Sequence, residues 1–425
     1  MSKALLSEAL LGRVPGAALP RIVASRGHDL IDQTGSRYLD AISGAYAAIL
    51  GYDLMSTVEV MTSAAEKLPY VHNARFDTDE SAALAQRLSD LAGDPGYHVY
   101  FSVSGADGVE AALRIAAAAG RVRAGRSRTA LASLGYSYHG STGFALSATG
   151  HAAARSGYAG HLKPVHRLDL MRWVRSERGY QADWKRDEAD IEDSIGEQTG
   201  AIVLEPMLGN AAGCVEIPDQ TLSAIAAVCE RNDIVLIADE VSVGTWRTSG
   251  ISLSLSKGVR PDIIVLGKAL TAGLFPLSAV LVSPRIVAKL NDVNLLGHTH
   301  GAHPVGCATA LHVVSQVVEP AFQRHMLQLG IHFEAKLRDL GQQSGVVAIR
   351  GRGLMYSVCL DSIRGGSAKL YSACLSRGLL VMPGMTSGDN GEQVSDHVTL
   401  APAFNMQIKV LDNVVDRLAD ALREL

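Results

Sequence analysis

The sequence predicts an α/β protein built on a mainly parallel central sheet flanked by helices, with a smaller α/β unit made from the two chain ends. Three observations carry this expectation. From about residue 80, short apolar runs alternate with stretches of helical spacing. Strands separated by helices imply a mainly parallel sheet covered on both faces. Residues with chemistry to offer (Ser104, Asp239, Lys268) fall just past the ends of these runs, where open α/β sheets gather their ligands.

Taken in order, residues 20–60 mix strand-like pieces, Leu19–Val23 and Asp29–Asp32, with glycine turns at Gly27 and Gly35. Ser81–Leu91 has helical spacing, Tyr97–Val103 is a short strand, and Asp107–Ala119 is an alanine-rich helix. Further strands are expected at Arg128–Ser133, Ala201–Leu204, Ile234–Ala238 and Ile263–Leu266, with helices such as Ser223–Arg231 between them. Beyond Pro304 come a long helix, the segment Val346–Leu360 and a glycine-rich tail. The expected division is therefore a large domain over 61–305, with 1–60 and 306–425 forming the smaller one.

With 425 residues the chain is long enough to bury a large core. Apolar content of 47% and charged content of 19% are those of an ordinary globular protein. A net charge of −4 supplies no basic field for nucleic acid. Cys214, Cys229, Cys307, Cys359 and Cys374 are scattered without zinc spacing, which fits a reducing cytoplasm. The most membrane-like window, 263–282, contains Lys268, Gly267, Gly273 and Pro276; a lone central lysine costs at least ~2.5 kcal/mol on insertion scales, so no membrane span is expected. Ala4–Leu11 has Glu8 within its apolar run and reads as a short helix rather than a signal peptide.

Lys268 is the residue that most needs explaining. It lies inside Ile263-Ile-Val-Leu-Gly-Lys-Ala-Leu-Thr-Ala in a chain with only ten lysines. Desolvation can depress a lysine pKa by roughly 3–5 units, which frees an amine to condense with a carbonyl. Upstream, the apolar run Ile234-Val-Leu-Ile-Ala ends on Asp239, where a bare carboxylate is costly. Opposite a protonated ring nitrogen, attraction at ~4 Å is worth ~4 kcal/mol at an effective dielectric of 20, about three pKa units. A carboxylate and a nucleophilic lysine on separate strands are the parts that pyridoxal phosphate chemistry needs.

Other segments are weaker alone. Ser104-Gly105-Ala106 follows a strand and opens a helix, an anion site by helix dipole and free N–H groups, although strand–helix turns often carry glycine. Tyr138, in Tyr136-Ser-Tyr-His139-Gly140, has a ring able to stack on a planar partner or to serve as an ordinary rim residue. His298-Thr299-His300-Gly-Ala-His303 lacks a carboxylate or cysteine partner, so it reads as a loop carrying Thr299 and no metal is expected.

Together these segments resemble the class III (omega-type) aminotransferases of pyridoxal phosphate fold type I, over nearly the whole chain. The motifs are Phe101-Ser-Val-Ser-Gly-Ala-Asp-Gly, Tyr136-Ser-Tyr-His-Gly, Val203-Leu-Glu-Pro, Asp239-Glu-Val-Ser-Val-Gly-Thr-Trp-Arg-Thr-Ser-Gly, Pro261-Asp-Ile-Ile-Val-Leu-Gly-Lys and Gly297-His-Thr-His-Gly-Ala-His-Pro. The resemblance implies that Lys268 carries the Schiff base to pyridoxal 5′-phosphate and shuttles the substrate proton, and that Asp239 pairs with the ring nitrogen. It implies that Tyr138 and Val241 cover the two ring faces, while N–H groups of Gly105 and Ala106, in the turn begun by Ser104, hold the phosphate. Glu205 and His139 lie near the cofactor by the same resemblance, and Tyr46 walls the substrate pocket. Thr299 would reach the phosphate of a neighbouring subunit, making a homodimer the catalytic unit.

Departures from the pattern bear on substrate. The phosphate turn loses one hydroxyl, Ser242 replaces a common glutamine, and Trp246 replaces a small residue. Where relatives that grip an α-carboxylate carry arginine before Pro-Pro, this chain reads Leu400-Ala-Pro402-Ala403; Gly209-Asn210-Ala211 stands where a gating glutamate is usual. The expected substrates are a primary or ω-amine (or amino acid) donor and an oxo acceptor, with Leu400 lining the pocket. Racemisation, epimerisation or decarboxylation on the same fold is the alternative, since all begin from the same covalent adduct.

Overall fold

The computed structural model describes residues 19–120, 129–176, 179–290, 293–361, 366–387 and 393–425. The segment Ala4–Leu11, expected as a helix, lies outside the described residues. The central sheet has seven strands in the order His98–Ser102, Ser278–Val282, Ile263–Leu266, Val235–Asp239, Thr199–Leu204, Ala130–Leu134 and His166–Leu168. All neighbouring pairs are parallel except those made by Ser278–Val282, which runs antiparallel to both of its partners. The sequence reading missed that strand because Ile263–Val282 forms one apolar window; the turn of Lys268–Thr271 and Pro276 divides it.

The strands at the centre are buried along their whole length, which is why they read as continuous apolar runs. Asp79–Leu91 forms the expected helix, opened by Thr78, whose side chain and that of Ser81 cap one another's backbone N–H groups. Gly105–Gly120 packs its alanine-rich face on the sheet through Val109, Ala112 and Ile115. Each such side chain withdrawn from water contributes about 1–3 kcal/mol before its entropy cost is counted.

Beyond the sheet, the single long helix expected after Pro304 is two, Pro304–Val317 and Pro320–Leu340, bent by 71°. Pro320, which has no N–H to donate, opens the second. No single helix among the described residues is long and apolar enough to cross a membrane, and this bent pair reaches that measure only jointly. A four-stranded antiparallel sheet of Val346–Arg352, Met355–Leu360, Gln393–Leu400 and Met382–Ser387 follows. The N-terminal strands Ile22–Arg26, Asp29–Asp32 and Arg37–Asp40 join Leu379–Leu380 in another sheet, so residues from the two chain ends pair directly.

Register is what positions the site. Leu204 lies beside Ala238, and Asp239 lies beside Val265. Glu205, Asp239 and Lys268 therefore leave three adjacent strands at the same carboxyl edge. Tyr138 and His139 follow Leu134 there, and Ser104 follows Ser102.

Candidate active site

Four consecutive residues, beginning with the last of the strand Val235–Asp239, each have a distinct contact. Asp239 is buried and its Oδ2 accepts from His139 Nδ1 at 2.8 Å, while its Oδ1 accepts from the Val241 N–H at 3.2 Å. Glu240 is fully buried and accepts from Ser252 Oγ at 2.6 Å, Leu253 N at 2.5 Å and Ser254 N at 2.9 Å. Val241 packs over Gly105: a Cβ added there would lie 2.6 Å from its Cγ1. Ser242 Oγ accepts from Lys268 Nζ at 2.6 Å.

Lys268 arrives after Gly267 with a φ of 39°, in the left-handed region that costs a side-chain-bearing residue strain. Its Nζ stands 4.7 Å from the centre of the Tyr46 ring. Burial pushes the amine down to about 8; Arg247 adds to this, while the carboxylates of Asp239 and Glu205 oppose it. Glu205 moves the other way. Burial drives its carboxyl up to about 7 and Asp239 adds repulsion, against His139 and the N–H groups of Tyr138 (2.8 Å) and Gly209 (3.1 Å). Lys268, Asp239, Glu205 and His139 thus share one electrostatic environment.

The helix opening at Gly105 presents the backbone of Gly105 and Ala106 at its positive end. Ser104 organises the turn: its Oγ accepts from Asp107 N at 3.2 Å, and its carbonyl accepts from Ser278 Oγ at 2.8 Å. Gly140 lets the Tyr-His-Gly turn approach Ala106. It has a φ of 127°, and a Cβ there would lie 2.6 Å from that of Ala106. Tyr138 keeps 47% of its surface exposed at this edge.

Leu400 is fully buried in the main core, while the next residue, Ala401, shares a buried cluster with Tyr46, Met207, Cys214, Val243 and Met355. Thr299 is exposed on a loop, where its carbonyl accepts from Tyr70 Oη at 3.1 Å; no contact joins it to Lys268 within the chain. The neighbouring His298 faces Asp107 at 3.5 Å.

Arg247, the cation nearest these motifs in sequence, is fully buried without a carboxylate partner. It donates to Pro402 O at 2.7 Å and Leu354 O at 3.1 Å, reaches Ser43 Oγ and Tyr46 O at 3.4 Å, and lies 4.6 Å over the Phe404 ring. Its role was not visible in sequence, where Trp246-Arg247 differs from the usual pattern by a bulky residue. Trp246 occupies that place with a φ of 62° and is buried in the core. Asn210 is likewise engaged, accepting from Thr399 Oγ1 at 2.8 Å and donating to Pro383 O at 3.2 Å.

The class-III aminotransferase family model matches residues 16–422. The chain belongs to the class-III aminotransferases. An aminotransferase of Bacillus subtilis is 27% identical over 96% of this chain and 95% of its own length. An acetylornithine aminotransferase of Neisseria meningitidis is 27% identical over 96% of each chain. The aminotransferase of Vibrio fluvialis, solved in a form bound to PMP, superposes with a TM-score of 0.86 at 22% identity, covering 98% of this chain and 96% of that one. An omega-aminotransferase of Paracoccus denitrificans gives 0.85 at 23%, covering 98% and 97%. At these identities the structural likeness establishes the fold, which is fold type I.

This aminotransferase works with pyridoxal 5′-phosphate, and its residues fit that group. A depressed-pKa amine, a buried carboxylate and an open helix N-terminus match an aldehyde, a pyridine nitrogen and a phosphate. Gly105 is the sharpest steric test. Gly105→Ala should weaken cofactor affinity by roughly tenfold or more, about 1.4 kcal/mol, and adding Val241→Ala should recover part of it. Fluorescence titration of the cofactor-free protein reads both.

Lys268 gives a stability prediction. In the window between about 8 and the ordinary lysine value of 10.5, the unfolded chain holds a proton that the folded one has shed, so stability rises with pH. Below about 8 the cost of burying the charge is fully present. Lys268→Met should therefore raise the melting temperature of the cofactor-free protein at neutral pH, with the gain shrinking as pH rises through that window. An equal gain at every pH would contradict it.

Proposed function

We propose that this aminotransferase moves an amino group from a primary or ω-amine (with an amino acid as a general donor) to an oxo acceptor, using Lys268 as its Schiff-base residue. The observation that carries this reading is a buried lysine, bonded to Ser242 Oγ and lying over the Tyr46 ring, that leaves the strand next to the one ending in Asp239. The free amine of Lys268 would also move the proton at the substrate's Cα. Asp239, held by His139, would keep the pyridine nitrogen charged so that the ring draws electrons from Cα. Tyr138 and Val241 would cover the ring faces, Glu205 supporting Tyr138 through its backbone. The Gly105 and Ala106 N–H groups, in the turn organised by Ser104, would hold the phosphate.

We further propose a homodimer in which Thr299 completes the partner's phosphate site; its exposure on a surface loop supports this. Tyr70, which bonds the Thr299 carbonyl, and Leu296 of the same loop are also exposed. A division into a large domain over 61–305 and a smaller one from 1–60 and 306–425 is supported by the pairing of Arg37–Asp40 with Leu379–Leu380. Five free, buried cysteines support a cytoplasmic location.

Substrate preference follows from what the pocket lacks. A guanidinium clamp on a carboxylate is a bidentate, charge-assisted contact. Ala401 stands beside Tyr46, Arg247 is engaged with carbonyl oxygens, and Asn210 is neutral. Comparing kcat/KM for α-amino acids and their decarboxylated amines tests this. The amines should win, and a preference of roughly tenfold (about 1.4 kcal/mol) for the α-amino acids would overturn it. Mixing Lys268→Ala with Thr299→Ala chains tests the dimer. In heterodimers one site carries both defects and the other neither, so activity should recover on subunit exchange; no recovery would mean that each chain builds its site alone.

A further inference from the structure

We propose that Ser242 is a positioning residue for Lys268: its hydroxyl receives the amine whenever that amine is not bonded to the cofactor, and fixes where and in what charge state it waits. This rests on the Schiff-base reading above. By resemblance, glutamine commonly occupies this position and touches the cofactor ring; the shorter serine instead has its Oγ 2.6 Å from Lys268 Nζ.

The turn that carries Ser242 is firmly held. On its N-terminal side Asp239 is bonded to His139 and Glu240 to the 252–254 segment. On its far side Gly244 N donates to Glu240 O at 2.9 Å. The hydroxyl thus offers the lysine a fixed acceptor rather than a mobile one. The amine has the Tyr46 ring face as a second neighbour at 4.7 Å. Two ligands, one on the loop after Asp239 and one on the N-terminal loop, define a resting place for a side chain with four rotatable bonds.

The charged and titratable groups facing this amine are Asp239, Glu205, Arg247 and Tyr46. Both carboxylates favour the ammonium; burial and Arg247 favour the neutral amine. An oxygen accepting from Nζ, like an aromatic face, is a better partner for the ammonium than for the amine. Ser242 therefore works on the carboxylates' side. Deleting its hydroxyl leaves the burial cost in place and removes one opposing contact, so the neutral fraction rises and the titration moves to lower pH. Ser242 trades some of the free base needed at Cα for a defined position of that base.

The test uses the full-length protein loaded with pyridoxamine 5′-phosphate, in which Lys268 is not bonded to the cofactor. Acetic anhydride is applied across the pH range of the lysine titration, and peptide mapping quantifies acetylation at Lys268. The parent sets the reference midpoint for this cofactor-loaded state. Ser242→Ala and Ser242→Gly should titrate lower by about one unit, the scale of a charge-assisted hydrogen bond. Ser242→Thr keeps the hydroxyl and should follow the parent. A folded deletion variant that titrates with the parent overturns the proposal, as does a threonine variant displaced from it. Should both deletions fail to fold, the threonine variant decides alone by the same criterion. Borohydride reduction of the pyridoxal 5′-phosphate form separates the two readings: absence of label at Lys268 sinks the Schiff-base assignment, whereas label with an unmoved midpoint sinks only the role of Ser242.

Discussion

The desolvation of Lys268 is the constraint on which the rest of the site depends, because an amine surrounded by water stays protonated and cannot attack a carbonyl. Burial alone would make the lysine neutral and merely destabilising. Two carboxylates at the ends of neighbouring strands pull its pKa back up to about 8. The same field acts in reverse on Glu205, which burial and Asp239 push up to about 7. A balance of this kind requires charges fixed in place, and a parallel sheet supplies that. Its strands set Leu204 beside Ala238 and Asp239 beside Val265, and the polar residues gather at one edge.

Local strain accompanies this arrangement. Ser43, Tyr46, Lys268, Thr245 and Trp246 all hold positive φ without being glycine. Such conformations persist only where surrounding contacts over-determine them. Asp40 does this for the Tyr46 loop, accepting from Ile42 N at 2.8 Å, Gly44 N at 2.6 Å and Tyr52 Oη at 2.5 Å. Arg247 does it from the other side, joining that loop to Pro402. The wall opposite the lysine is therefore as fixed as the lysine itself.

Much of this was legible in the sequence, for physical reasons. Buried parallel strands are apolar throughout, so Val235–Asp239 and Ile263–Leu266 stand out, and a charge at the end of either is conspicuous. The expected strand at Ile234–Ala238 misses the observed one by a single residue at each end. What sequence did not reveal depends on which way a side chain turns or on contacts between distant segments. Leu400 ends the strand Gln393–Leu400 and packs in the main core, while Ala401, just past it, packs in the cluster around Tyr46. Arg247 bonds residues more than a hundred positions away, at Leu354 and Pro402. The antiparallel strand Ser278–Val282 was hidden inside a continuous apolar window. Ser242 read as a lost ring contact, because nothing local marks serine as the partner of a lysine twenty-six residues on.

The lack of a carboxylate clamp is also a matter of what the fold has already used. A fully buried guanidinium does exist beside Tyr46, yet burial pushes Arg247 down to about 9 and its Nη1 group meets the carbonyl oxygens of Leu354 and Pro402. Redirecting it to a substrate would break its bonds to Pro402 O and Leu354 O and loosen the Tyr46 loop. Ser357, Thr399, Asn210 and Cys214 form a second polar group near the same wall. Thr399 Oγ1 lies 2.6 Å from Ser357 Oγ, Ser357 Oγ donates to Cys214 Sγ at 3.2 Å, and Thr399 Oγ1 donates to Asn210 Oδ1 at 2.8 Å. These side chains satisfy one another and carry no charge. A substrate carboxylate placed against them would lose its hydration without gaining a cation, whereas an apolar or neutral substituent loses far less. The proposed preference against an α-carboxylate thus rests on Arg247, which lies near Ala401 but is engaged with Pro402 O, and on the neutrality of Asn210.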